Sequence, residues 1–225
     1  MAGLRAIVCF SGGMDSTTLL YEALAQNYTV ETLTFDYNQR HRIELESVQI
    51  IAARLGLPHK ILKIDLTQIG GSALTDLKIE VPVQAEQGQE ITVVPLRNTL
   101  FCTLAAAYGE TQAIDEIFYG PVKEDFEVYR DCRRPFFDSL EESLSLGSSY
   151  ERAVKIHTPW ADKTKAEVLR RGFELGVPYN LTHTCYLGMR PACGKCGSCR
   201  ARLAAFAEIG LRDPLPYQII EPIRD

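Results

Sequence analysis

The stretch Phe10-Ser11-Gly12-Gly13-Met14-Asp15-Ser16-Thr17-Thr18 decides how the rest of this chain is read. It follows a short apolar run, Arg5–Phe10, which reads as a buried strand and breaks at the Ser-Gly-Gly turn. From Met14 to about Gln26 the residues Leu19, Leu20, Ala23 and Leu24 share one face of a helix. Glycines between a first strand and a first helix let several backbone N–H groups converge on one anion, and the helix N-terminus adds partial positive charge. Ser11, Ser16 and Thr17 supply hydroxyl donors. A carboxylate at Asp15 repels phosphate unless it holds Mg²⁺ that bridges to a polyphosphate. The lysine and the four-residue gap of a Walker A loop are missing. Two glycines alone would mark a turn with Asp15 at a helix start; the full string predicts a loop that binds ATP.

Outward from this loop the chain alternates strand and helix. Tyr28–Phe35 reads as a second strand, Asp36–Arg42 as a polar loop, and Ile43–Leu55 as a helix ended by Gly56 and Pro58. Lys60–Leu66 is a third strand. Asn98–Glu110 is a helix, Glu116–Gly120 a strand, Pro135–Leu146 a helix and Val154–His157 a strand. Thr164-Lys165-Ala166-Glu167 has capping-box spacing, so a helix starts at Lys165 and stops at Gly176-Val177-Pro178. A last helix covers Arg200–Glu208. The order implies an α/β fold: a doubly wound parallel sheet with helices on both faces and right-handed crossovers. Residues 67–94, rich in Gly, Thr, Gln and Glu, read either as a flap over the site or as an ordinary insertion.

The 225 residues, 46% of them apolar, suit one domain over 1–225 with a full core. A net charge of −5 opposes a basic nucleic-acid face and suits a metabolite enzyme. The apolar run at the start is too short for a signal peptide, Gly3 is misplaced for myristoylation, and no stretch reads as long enough to span a membrane. The expectation is a cytoplasmic protein in a reducing compartment, where seven cysteines do not form a disulfide framework.

Cys185, Cys193, Cys196 and Cys199 are separated by seven, two and two residues, with Gly194, Gly197 and Ser198 among them. Such a run of thiolates predicts a closed, structural Zn²⁺ knuckle within 183–210; an Fe–S cluster is the alternative, because four cysteines serve both. His183 reads as a neighbour of that site. Cys9 and Cys102 read as core, and Cys132, in a polar loop, is the one candidate for a reactive thiol.

The loop resembles that of the PP-loop ATP pyrophosphatases, which split ATP between the α- and β-phosphates and adenylate an oxygen of the substrate. In that fold the strand after the first helix lies beside the adenine, which adds Leu33 and Phe35 to Phe10–Thr18 as ATP-binding candidates. With the cysteine run and with strings such as Gln39-Arg40-His41, Gly70-Gly71-Ser72-Ala73-Leu74-Thr75-Asp76, Arg97-Asn98-Thr99, Asp131-Cys132 and Leu175-Gly176-Val177-Pro178-Tyr179, the chain resembles the 7-cyano-7-deazaguanine synthase (QueC) family from end to end. The resemblance implies conversion of 7-carboxy-7-deazaguanine, ammonia and ATP into the nitrile, with Mg²⁺ and Zn²⁺ as cofactors. Asp15, Arg97 and Lys165 are then candidate catalytic residues, the two cations neutralising phosphate or carboxylate charge. Asn98, Asp125 and Asp131 are candidates for the substrate ring; loop capping is the other reading of the two acids. The partners expected are the small-molecule substrate and ammonia, without membrane or direct nucleic-acid contact and with a homodimer left open. The family pattern is departed from at Asn38 and Leu96, where glycine is usual, and at Pro121 and Arg130. A paralogue activating a related acid, and a tRNA-thiolation enzyme of the same superfamily, are the alternatives.

Overall fold

The computed structural model of the protein describes residues 4–83, 89–149 and 153–218. Five strands, β1 (Arg5–Cys9), β2 (Thr29–Asp36), β3 (His59–Lys63), β4 (Glu116–Phe118) and β5 (Lys155–His157), form one parallel sheet in the order β3-β2-β1-β4-β5. The chain winds outward from β1 to β3, then crosses over β1 and builds β4 and β5 on the other side. The strand order reverses between β1 and β4, and the carboxyl ends of strands at such a point diverge into a ligand crevice.

Strand alternation explains why both faces are covered. Ile7 and Cys9 of β1 point into a core shared with Phe101, Cys102 and Ala105 of α3 (Arg97–Gln112) and Phe137 of α5 (Arg134–Gly147). Ala6 and Val8 point the other way, towards Leu19, Leu20 and Ala23 of α1 (Met14–Ala25), Val48 and Ile51 of α2 (Glu44–Leu55), and Val168 of α6 (Lys165–Glu174). A period of two on the strand thus meets a period of 3.6 on helices at each face. Thr164 accepts a hydrogen bond from the Glu167 N–H while the Glu167 carboxylate accepts from the Thr164 N–H, the reciprocal cap expected from the sequence.

Two of these expectations need correction, and one stretch holds an element the sequence did not show. The last helix, α7, spans Gly197–Glu208 rather than starting at Arg200, because Cys196 is its N-terminal boundary residue and the cysteine run passes straight into its first turn. A short helix, α4 (Asp125–Val128), occupies a stretch with no helical period to read. Glu90–Gln112 does reach spanning length and hydropathy, through the Ala- and Leu-rich run of α3. That run is a core helix, burying Asn98, Phe101, Cys102, Ala105, Ala106 and Gly109.

Of the segment 67–94, residues 84–88 lie outside the described residues. The described part is anchored at a few buried positions, while Ile69 and Leu77 are exposed. Ala73 and Val81 join the buried cluster around the four cysteines, and the Arg40 guanidinium donates to the carbonyls of Asp76 and Ile79 at 3.0 and 2.7 Å.

The departures from the family pattern fall mostly on the surface. Asn38 takes φ 59° at an exposed turn, a conformation asparagine tolerates, and Arg130 is exposed. Leu96 precedes α3 with φ 51° and ψ 26°, its side chain 68% exposed. A branched residue held there is strained and gains little from packing. Leu96→Gly should therefore raise stability by about 0.5–1 kcal/mol, the left-handed penalty relieved less the added freedom of the unfolded chain. A rise of roughly 1–4 °C in Tm is expected; a fall in Tm would show that Leu96 packs in a way its exposure denies.

Candidate active site

The carboxyl ends of β1, β2 and β4 open into a cavity of about 250 Å³. Its floor is formed by Phe10, Ser11, Gly13, Met14 and Asp15 of the glycine loop. Gly12 takes φ 79°, and a Cβ there would lie 2.7 Å from the Glu44 carbonyl oxygen, so only glycine lets the loop close onto α2. The Ser11 N–H donates to Ser16 Oγ at 3.2 Å, the two hydroxyls lie 3.0 Å apart, and the Thr17 hydroxyl donates to the Gly13 carbonyl at 2.7 Å. These bonds shape the loop. The glycine at the N-terminal boundary of α1 has no side chain to cap the first turn, so the leading N–H groups of a twelve-residue helix are left for a ligand at the cavity.

Beside this cradle Lys165 Nζ donates to Asp15 Oδ2 at 2.8 Å and lies 3.7 Å from Asp125 Oδ1. Burial opposes the charge on Lys165, but the two acids outweigh it and hold the ammonium above the ordinary lysine range. Asp15 Oδ1 is buried without a hydrogen-bond partner among the described residues. An orphaned carboxylate oxygen beside exposed helix N–H groups has the chemistry of a divalent-cation ligand shared with a polyphosphate.

Across the cavity stands Arg97, at the start of α3. Its Nη1 donates to the Tyr37 hydroxyl at 3.5 Å and its guanidinium lies 5.8 Å from the Tyr129 ring centroid. Among the described residues Arg97 forms no ion pair. The surrounding wall is aromatic: Tyr37, Phe101, Tyr119, Tyr129 and Tyr186, with Phe35 and Phe101 stacked at 4.2 Å. Asn98 is buried, accepts from the Tyr119 hydroxyl at 2.7 Å and donates to Cys132 Sγ at 3.2 Å.

Of the residues singled out from the sequence, Phe10, Ser11, Gly13, Met14, Asp15, Ser16, Phe35, Arg97, Asn98, Asp125 and Lys165 line this cavity. Gly12, Thr17, Thr18, Leu33 and Asp131 do not. Thr18 is buried behind the loop, its hydroxyl 2.8 Å from that of Tyr179, which fits only because Gly172 lacks a side chain there. Leu33 is core and offers its carbonyl to the Phe10 N–H at 2.8 Å. Asp131 follows the capping alternative: Oδ2 accepts from the Asn98 N–H at 3.1 Å. Cys132 is buried against Asn98, not exposed in a polar loop; burial, with Asp125 and Asp131 adding to it, pushes its thiol up to about 12. Tyr37, His41, Glu44, Tyr119, Tyr129, Tyr186, His183 and Arg202 line the cavity without having been singled out as site residues. The signal for His41 and Glu44 was the family string Gln39-Arg40-His41 followed by Glu44-Leu45 between a strand and a helix.

The four cysteines lie together. Cys185, Cys193, Cys196 and Cys199 are all buried, with Sγ atoms within 4.8 Å of one another. Cys193 Sγ and Cys199 Sγ are 3.8 Å apart, and the N–H groups of Cys193 and Cys196 donate to Cys185 Sγ and Cys193 Sγ at 3.4 and 3.3 Å. Tetrahedral thiolates about 2.3 Å from one ion stand about 3.8 Å from each other, so the cluster fits a single metal. This segment also walls the cavity. The His183 N–H donates to the Gly12 carbonyl at 3.0 Å, and Arg202 of α7 reaches the lining while paired with Asp213 at 2.7 Å.

Comparison with known proteins agrees with this architecture. The family described as queuosine biosynthesis protein QueC matches residues 5–210. A 7-cyano-7-deazaguanine synthase of Clostridium kluyveri is 43% identical over 221 residues, covering 95% of this chain and 98% of the relative. One from Picrophilus torridus is 47% identical over 220 residues, covering 95% and 92%. Among solved structures, a predicted subunit of tRNA methyltransferase from Methanocaldococcus jannaschii superposes with a TM-score of 0.51 at 13% identity, covering 95% of this chain and 92% of that one, which shows a shared fold. The chain belongs to the QueC family of queuosine biosynthesis proteins.

Proposed function

We propose that the protein converts 7-carboxy-7-deazaguanine to 7-cyano-7-deazaguanine with ATP and ammonia. The observation that carries this reading is one cavity, in a chain of this family, that joins a phosphate cradle to an aromatic wall holding an uncompensated arginine. Hydroxide leaves a carboxylate poorly. A carboxylate oxygen therefore attacks the α-phosphorus of ATP, pyrophosphate departs, and an acyl-adenylate forms. Ammonia adds to the acyl carbon, AMP leaves, and a proton is lost to give the amide. The amide oxygen attacks the α-phosphorus of a second ATP, a second pyrophosphate and a proton depart, and loss of AMP with the remaining N–H proton gives the nitrile.

The chain's own share is positioning and charge balance. The first turn of α1 and the Ser11 and Ser16 hydroxyls receive the polyphosphate, and Asp15, whose Oδ1 has no hydrogen-bond partner among the described residues, would hold Mg²⁺. Lys165 offsets charge developing on the departing pyrophosphate, and Arg97 takes the substrate carboxylate. Phe35 and the β2 end border the adenine. Zn²⁺ in the four-cysteine cluster is structural, since protein thiolates fill all four positions. The knuckle segment 183–210 belongs to one catalytic unit with the rest of the chain, because its residues wall the cavity. A cytoplasmic enzyme of a small-molecule substrate fits this assignment.

Two observations weigh against the alternatives. Sulfur transfer needs a thiolate at the ATP site, but burial pushes the two cysteines lining the cavity, Cys9 and Cys132, up to about 12. A different acceptor acid needs a reshaped wall, yet of the departing positions Asn38, Leu96, Pro121 and Arg130 only Pro121 lines the cavity.

Purified protein incubated with ATP, Mg²⁺, ammonia and the carboxylic acid should yield the nitrile by mass spectrometry, with the amide as an earlier product. Absence of both would overturn the proposal. Asp15→Asn should lower turnover by about 10²-fold or more, with zinc content and melting unchanged; near-normal turnover would remove Asp15 from the metal site. Elemental analysis should find one zinc per chain, and Cys196→Ser should lose it together with thermal stability. Iron with a visible absorption band would replace zinc by a cluster.

A further inference from the structure

Three carboxyl groups line the cavity: Asp15, Glu44 and Asp125. Two of them share Lys165, and Asp125 also accepts from the Val122 N–H at 3.1 Å. Glu44 has neither a lysine nor an arginine partner among the described residues. Its Oε1 accepts from Gln39 Nε2 at 2.9 Å and lies 3.5 Å from His41 Nε2. Burial drives His41 down to about 3, so the imidazole is neutral and supplies no counter-charge. Burial also pushes Glu44 up to about 8, against the pull of Gln39 and Arg97. A carboxylate this dry is costly until further N–H groups reach it.

From Glu44 the wall runs through His41 to Tyr37, whose hydroxyl is 3.5 Å from His41 Nε2, and on to Arg97, 3.5 Å beyond that hydroxyl. The Tyr37 ring packs on Phe101 with centroids 5.3 Å apart, giving the wall an aromatic face. An acceptor at one end and a cation at the other, along a flat apolar surface, complement a planar ring with paired N–H donors on one edge and a carboxylate on the other.

We infer that Glu44 is the specificity-determining residue that accepts the paired N–H groups of the substrate's 2-amino-4-oxopyrimidine edge, while Arg97 holds the carboxylate at the opposite end. The inference rests on the deazaguanine reading above. It moves base recognition away from Asp131, which caps α3, and from Asp125, which is held by Lys165. The adenine amino group of ATP is a rival N–H donor for the same oxygen, and the experiment separates the two.

Calorimetry with the unreactive ring alone makes the test independent of turnover. The wild type should bind 7-deazaguanine about 10–100-fold more tightly than 7-deazahypoxanthine, which lacks the exocyclic amine. Glu44→Gln should nearly erase that preference, weakening 7-deazaguanine and leaving 7-deazahypoxanthine little changed. Glu44→Asp keeps the charge but withdraws it, and should also narrow the preference; it serves if the glutamine variant folds poorly, as judged by melting and zinc content. Equal weakening of both rings would make Glu44 structural and overturn the inference. So would a preference that persists in both variants, or a loss that appears only when ATP is compared with purine riboside triphosphate, which lacks the 6-amino group. If the wild type binds and discriminates the rings yet makes no nitrile, the reaction assignment fails and the role of Glu44 stands.

Discussion

The contact of Gly12 with the first turn of α2 is the constraint on which both halves of the cavity depend. A Cβ on Gly12 would meet the Glu44 carbonyl oxygen at 2.7 Å and Val48 Cγ2 at 3.0 Å. The first obstacle is backbone, which no change of rotamer moves. The phosphate loop therefore sits at a fixed height above α2, and α2 in turn fixes the turn from β2 that carries Tyr37 and His41. One backbone-to-backbone approach thus sets the anion cradle and the wall facing it. The His183 N–H bond to the Gly12 carbonyl closes the same loop from its other side.

The C-terminal segment is tied into this frame by a buried ion pair. Arg202 donates to both oxygens of Asp213, at 2.7 and 2.9 Å, and further to Thr182 Oγ1 and the Tyr179 carbonyl at 2.6 and 2.9 Å. Desolvating a guanidinium and a carboxylate costs several kcal/mol each, and good geometry with extra hydrogen bonds is what offsets it. Such a pair does little for net stability compared with an apolar filling. It does specify which segment packs where: α7 is locked to residues 179–184, which bring His183 and Thr184 to the cavity. The four-cysteine cluster and this pair hold the two ends of one wall, so a metal bound by those thiolates would shape the site without entering it.

Much of this was legible because it rests on local chemistry. The phosphate loop is a contiguous string, the cysteines have ligand spacing, and the Thr164 capping box acts within four residues. The apolar run of β1 and the periodicity of α1 and α2 made the sheet and its helices legible for the same reason. What escaped the sequence depends on contacts between distant segments. Nothing local distinguishes Lys165 as a surface cation from Lys165 shared between Asp15 and Asp125, which lie 150 and 40 positions away. Asp131 looked equally suited to a ligand or a cap until Asn98 was brought against it. The aromatic wall is drawn from α3, from segments after β2 and β4 and from the knuckle, so no periodicity could assemble it. Cys132 misled for the converse reason: its neighbours in sequence are polar, while its neighbours in space are not.

The charges of the cavity are distributed unevenly. At the phosphate loop Lys165 is already outweighed by two acids, Asp15 and Asp125, so that end carries no spare positive side-chain charge before any ligand enters. At the opposite wall Arg97 forms no ion pair among the described residues, and the tyrosine hydroxyl and ring beside it do not cancel a charge. A free monoanionic acid thus gains more from Arg97 than from the lysine, whereas a polyphosphate gains from helix N–H groups that a carboxylate on a flat ring reaches poorly. On the proposed assignment the two substrates would be sorted by the kind of positive charge each end offers: a diffuse guanidinium on an aromatic wall, or convergent backbone dipoles at a glycine turn. In a reaction where both substrates are anions and must meet head-on, this sorting keeps each from occupying the other's place.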